Sequence, residues 1–145
     1  MIFRMVGNIN ELGVPLDIER VTLEWFELDR RMLRKTTDRG REIGIVIDGL
    51  QRLKQGDVLQ GDSEMIAVEV ADTPALVLKP ADMKQMAQVC YELGNRHAVV
   101  FIEGEQVLVP FDPTIAELFK KLSIPHKIEK RRLENVLRPE SNHHH

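Results

Sequence analysis

Ala98-Val99-Val100-Phe101-Ile102-Glu103, then Gly104-Glu105, then Gln106-Val107-Leu108-Val109-Pro110: two apolar, branched runs stand on either side of a two-residue turn. That spacing predicts a β-hairpin with a very short loop. Before the hairpin, Met83, Met86, Ala87, Cys90 and Leu93 recur at i, i+3, i+4 positions, with Gly94 as the expected helix stop. Further upstream, Ala75-Leu76-Val77-Leu78-Lys79-Pro80 reads as a strand ended by proline, after an interruption at Asp72-Thr73-Pro74. After the hairpin, Asp112 as N-cap and Pro113 at the first helical position open a second helix. Its apolar stripe is Ile115, Leu118, Phe119 and Leu122, and His126-Lys127-Ile128-Glu129-Lys130 reads as a last strand. The order strand, helix, strand, strand, helix, strand is the split βαβ of a ferredoxin-like domain, expected over residues 75–137 with both helices on one face of an antiparallel sheet.

The first half has a different texture. Val21-Thr22-Leu23-Glu24-Trp25, Ile43-Gly44-Ile45-Val46-Ile47, Val58-Leu59 and Met65-Ile66-Ala67-Val68-Glu69-Val70-Ala71 are strand-like, and Asp/Gly turns bound them. No helical period of useful length precedes Asp72, so residues 1–72 read as a small β domain and the whole chain as α+β. Residues 138–145, ending Glu140-Ser141-Asn142-His143-His144-His145, carry no apolar content and read as a flexible tail.

Composition narrows the function classes. The 145 residues fit one full-sized domain or two small ones, and 43% hydrophobic residues are enough for a packed core. A single cysteine, Cys90, rules out an intrachain disulfide and a cysteine zinc cluster, which points to a reducing, cytoplasmic setting. No run approaches the roughly 18 apolar residues that span a bilayer. A net charge of −3 and 5% aromatics argue against an extended nucleic-acid surface, and exposed stacking aromatics for RNA are missing. Partners therefore exclude nucleic acid and membrane. There is no phosphate loop, no Gly-x-Ser-x-Gly elbow, no His-Glu-x-x-His and no Cys-x-x-Cys, so nothing supports an enzyme.

Five histidines carry what chemistry the chain offers: His97, His126, His143, His144 and His145. Imidazole favours nickel, copper and zinc, and the affinity order of these ions ranks copper above nickel. His97 follows Gly94, Asn95 and Arg96 at the entry to the hairpin. An ion needs roughly four to six donors, and one ordered histidine supplies one, so coordination implies two chains about a two-fold axis with tail histidines completing the shell. The three terminal histidines also read as a tag remnant, against which stand the shortness of the run and a Glu-Ser-Asn segment unlike a cloning linker. His126 reads as structural or solvent-facing. Cys90, Met83 and Met86 read as core residues on a helix stripe. Two basic clusters, Arg30, Arg31, Arg34, Lys35 and Lys127, Lys130, Arg131, Arg132, read as solvated faces or as docking points for an acidic partner protein.

These residues resemble a known family. Leu93-Gly94-Asn95-Arg96-His97 after a helix, the hairpin behind it, Val109-Pro110-Phe111-Asp112-Pro113 opening the next helix, and a histidine-bearing C-terminus look like the urease accessory nickel metallochaperones, the UreE family. Leu23-Glu24-Trp25, Gly40-Arg41-Glu42-Ile43-Gly44-Ile45 and Leu53-Lys54-Gln55-Gly56-Asp57-Val58-Leu59 fall in the family's order, so the likeness spans nearly the whole chain. It implies a cytoplasmic homodimer that carries Ni(II) to urease apoprotein and its accessory proteins, including a GTPase. It also implies an N-terminal peptide-binding-like domain, nickel ligation by His97 at the dimer interface, and added ligands from His143, His144 and His145. The short tail departs from members with long histidine-rich ends, so one transported ion or two is the expectation. The competing reading is a peptide-binding interaction adaptor whose histidines are incidental.

Overall fold

The computed structural model describes residues 1–49 and 51–137. The chain divides into two compact units, Met1–Ala71 and Asp72–His145.

The first unit is all β, apart from one 3-10 turn at Trp25–Glu27. Its strands are β1 (Ile2–Asn8), β2 (Arg20–Leu23), β3 (Met32–Thr36), β4 (Glu42–Val46), β5 (Asp57–Gln60) and β6 (Met65–Val70), laid out in the order β2-β6-β5-β1-β4-β3. β1 runs parallel to β4 and β2 parallel to β6, while the other neighbours are antiparallel. Alternation places Phe3, Val21, Leu23, Leu33, Ile43, Ile45, Leu59, Ile66 and Val68 in one buried cluster. The strand expected to run to Trp25 stops at Leu23, because Glu24 and Glu27 cap the 3-10 turn: the Glu24 N–H donates to Glu27 Oε1 at 2.9 Å.

Buried Glu19 joins the edges of this unit. Arg41 Nε and Nη2 donate to its two carboxylate oxygens at 3.0 and 2.7 Å, and the Thr37 hydroxyl donates to the same group. The Arg41 hydrogen bonds hold the Glu19 carboxyl below the usual range against the opposing effect of burial. Glu64 shares Arg41 at 2.6 Å, so the cation is not left half-paired.

The second unit runs β7 (Asp72–Leu78), α1 (Met83–Asn95), β8 (Val100–Glu103), β9 (Gln106–Pro110), α2 (Pro113–Lys121), β10 (His126–Arg132) and β11 (Val136–Leu137). The sheet order is β10-β7-β9-β8-β11, with every neighbouring pair antiparallel. The hairpin closes as its sequence requires: Glu103 pairs with Gln106, and Gly104 takes φ 60° at the first turn position. Leu76, Leu78, Val107 and Val109 from the sheet meet Val89, Leu93, Ile115 and Phe119 from the helices in one core, so both helices cover the same face. An all-β first region and a β-rich second region with two helices agree with the α+β reading.

A second local expectation fails. Asp72-Thr73-Pro74 does not interrupt the chain but forms the first half of β7. Pro74 accepts the Phe111 N–H at 2.9 Å just past the last β7–β9 pair, Ala75 with Pro110; having no N–H to return, it ends that ladder, while toward β10 its position needs no N–H. β11, beside β8, was not legible because a two-residue strand shows no period.

Candidate metal centre

His97 sits where a helix ends. α1 does not stop at Gly94; it runs to Asn95, Arg96 is the C-cap, and His97 is the next residue, with φ 53°. The His97 N–H donates to Gly94 O and the Ala98 N–H to Leu93 O, both at 3.1 Å. This is a Schellman motif, with Ala98 and Leu93 supplying its apolar contact inside the core. Glycine usually fills the left-handed position, since a Cβ there costs about 1–2 kcal/mol. Here the position holds an imidazole instead, and Gly94, Asn95, Arg96 and His97 are all exposed. The backbone is fixed by the two hydrogen bonds while the ring is open to solvent.

α1 carries a second open feature. Val89 and Leu93 are its buried residues, whereas Met83 is 84% exposed and Ala87 and Cys90 are exposed as well. The reading of Met83 and Cys90 as core is therefore corrected. Two apolar stripes share Met86: Met86-Val89-Leu93 faces the sheet, and Met83-Met86-Ala87-Cys90 faces outward. The branched residues decide which one packs, because they fill the space between helix and strands. The outward stripe lines a groove of about 390 Å³ with Pro80, Ala81, Asp82 and Glu105, in which Cys90 Sγ lies 3.9 Å from Met86 Sδ. Continued by one turn, the stripe passes Gly94, whose missing Cβ faces open space, and reaches His97.

Comparison with known proteins places the chain in a family. The sequence model of the UreE urease accessory protein N-terminal domain matches residues 2–71, and that of its C-terminal domain matches residues 72–145. The chain belongs to the UreE urease accessory protein family. Its relatives include the urease accessory protein UreE of Bacillus sp. strain TB-90, 40% identical over 99% of both chains. Another is UreE of Halalkalibacterium halodurans, 38% identical over 97% of this chain and 95% of the relative. UreE of Haemophilus influenzae is 38% identical over 97% of this chain and 80% of its own length.

In this UreE family member the sequence-derived site residues are only partly brought together. His97 stands with Gly94, Asn95 and Arg96 at one helix end. His143, His144 and His145 lie outside the described residues. His126 opens β10, half-buried, with Nδ1 2.8 Å from the Ile124 carbonyl oxygen, so that nitrogen donates its proton there and the ring is held to the backbone. Among the described residues no three of His, Cys, Asp or Glu gather as an ion would require. His97 is a single donor on a single chain. The outward stripe of α1 escaped the sequence reading, although the doubled apolar period around Met86 was its available signal.

Proposed function

We propose that this protein is a nickel-binding metallochaperone that delivers Ni(II) to the urease assembly complex for active-site maturation. Family membership supports the role in urease maturation, and a protein that serves as an accessory needs no catalytic centre of its own. The carrying observation is the placement of His97: an exposed imidazole, fixed in backbone, at the end of a helix whose outward stripe is apolar and unpartnered. Covering that stripe with the same stripe of a second copy about a two-fold axis passing near its His97 end would bring His97 and the partner copy's equivalent imidazole together. The bare Gly94 backbone permits close approach at that point. Two imidazoles leave an incomplete shell, to which His143, His144 and His145 add ligands, and a shell with few fixed ligands suits cargo that must be released.

On this reading the residues divide by role. The β-rich unit, residues 1–72, is a peptide-binding-like domain that meets urease apoprotein or an accessory protein, the GTPase among them. The sheet order and two same-side helices support a ferredoxin-like metal-binding domain over residues 75–137, with β11 added at one edge. Residues 138–145 carry the histidines that would add ligands. The setting is the cytoplasm. Cu(II) or Zn(II) would compete in vitro, because imidazole does not discriminate among these ions.

Nickel titration by calorimetry, with light scattering on the same samples, tests the reading. The expected result for a chain ending at Arg138 is about one tight ion per dimer, lost in His97→Ala. Tight binding that survives His97→Ala but vanishes with the tail would refute a His97 centre.

A further inference from the structure

β10 is an open edge. It pairs with β7 along its whole length, seven residues in unbroken register from His126 with Leu78 to Arg132 with Asp72, and among the described residues no strand lies on its other side. The Lys79 N–H donates to the Pro125 carbonyl at 2.9 Å, which sets the phase of the ladder. Lys127, Glu129 and Arg131 then turn their backbone groups toward β7, and His126, Ile128, Lys130 and Arg132 turn theirs away. Four of the strand's seven residues thus turn their backbone groups outward in one row.

The edge is strongly cationic within a chain of net charge −3. Lys127, Lys130, Arg131 and Arg132 against Glu129 leave three net positive charges on seven residues. Glu129 is already engaged by Lys127 at 3.3 Å and Arg131 at 2.6 Å. Lys130 is exposed and has no carboxylate within ion-pair distance among the described residues. Midway, Ile128 is 57% exposed and offers an apolar neighbour to an arriving side chain.

Open edges are usually blunted by shortness, bulges, proline or charge. β10 is long, regular and free of proline, so charge alone guards it. That guard has a sign. It repels the β10 of a second copy and leaves an acidic strand unopposed.

We propose that β10 is a docking edge for an extended acidic segment of a partner protein, taken up by β-strand addition. The outward backbone of Ile128 and Lys130 gives the ladder, and Lys130, on a strand of net positive charge, gives the charge preference. The site stands apart from His97 and does not rest on the nickel reading.

The test uses the full-length protein and a fluorescein-labelled peptide of alternating Glu and Val, followed by anisotropy, with a proline-interrupted peptide of equal charge as control. The expected result is saturable binding of the Glu-Val peptide, at least tenfold weaker binding of the control, and slowed hydrogen exchange at the Ile128 and Lys130 amides. Ile128→Pro removes an outward N–H that no ladder bond uses, so it should abolish binding while circular dichroism stays unchanged. Lys130→Glu leaves the backbone intact and should weaken binding about tenfold. Equal affinity for the proline-interrupted peptide, no effect of Lys130→Glu, or no anisotropy change up to about 1 mM peptide would each overturn the proposal.

Discussion

Helices α1 and α2 both begin on an aspartate that accepts an N–H from the first turn, Asp82 from Gln85 at 2.9 Å and Asp112 from Thr114 at 2.8 Å. Both end in a Schellman motif whose left-handed residue is not glycine, His97 at φ 53° and Ser123 at φ 56°. They also pack on the same face of one sheet. What separates them is the stripe each presents outward. α2 buries Ile115 and Phe119 and packs Leu118 and Leu122 at the margin of the core, which leaves a polar outer face. α1 buries Val89 and Leu93 and still has methionine, alanine and cysteine left over on the outside. Apolar surplus at helical spacing therefore marks a face with a second task, even where the first stripe already satisfies the fold.

The contrast breaks most visibly at matched apolar positions. Phe119→Ala should cost about 3–5 kcal/mol in denaturant unfolding, since it opens a cavity at a fully buried ring. Cys90→Ala should cost no more than about 0.5 kcal/mol, as at an ordinary surface position. If Cys90→Ala matched Phe119→Ala, the outward placement of that stripe would be wrong. A charge on the outer stripe sharpens the contrast further: Ala87→Arg is expected to turn the proposed dimer into a monomer by light scattering and to make the unfolding midpoint independent of protein concentration, while the folded monomer keeps its circular dichroism.

The helix ends predict a smaller effect of opposite sign. His97→Gly and Ser123→Gly each relieve a left-handed Cβ and should raise stability by up to about 1 kcal/mol. Only His97→Gly should also remove nickel binding, and loss of binding in Ser123→Gly would void the pairing of imidazole with function. The smallest effect belongs to the α2 cap. The Thr114 hydroxyl, then its N–H, holds the Asp112 carboxyl below its ordinary value. A lowered carboxyl stabilises the folded state above its unfolded titration and loses that contribution as pH falls through the folded one. Asp112→Asn keeps the cap and should flatten the acid limb of the stability profile below about pH 4.

Much of the second unit was legible because its periods are clean. The hairpin turn, the Asp112-Pro113 start and the α2 stripe each have one physical solution. α1 was legible as a helix and not as an oriented one, since two overlapping stripes satisfy the same period and only packing chooses between them. Its end was misplaced because Gly94 is the commoner stop, while the real left-handed residue carries a side chain that the backbone alone does not favour. In the first unit β3 was unreadable: Met32-Leu33-Arg34-Lys35-Thr36 buries only Leu33, too thin an alternation to count. His97 was legible as a candidate donor from its motif, but its exposure and fixed backbone emerge only from the hydrogen bonds that end α1.

The parallel pairing of β1 with β4 sets a schedule for synthesis. Ile2, Phe3 and Arg4 find their partners at Gly44, Ile45 and Val46, some forty residues downstream. At about 5–20 residues per second the first strand leaves the ribosome several seconds before it has a neighbour on that side. Phe3, fully buried in the finished unit, is thus made some forty residues ahead of Ile45, its partner on that side. The second unit has the same wait at one edge, because β7 meets β10 only from Leu78 with His126 to Asp72 with Arg132, while its central hairpin joins residues a few positions apart. Both units thus hold an early strand, β1 or β7, whose partner is made much later, and in each the local hairpins can form before the sheet closes.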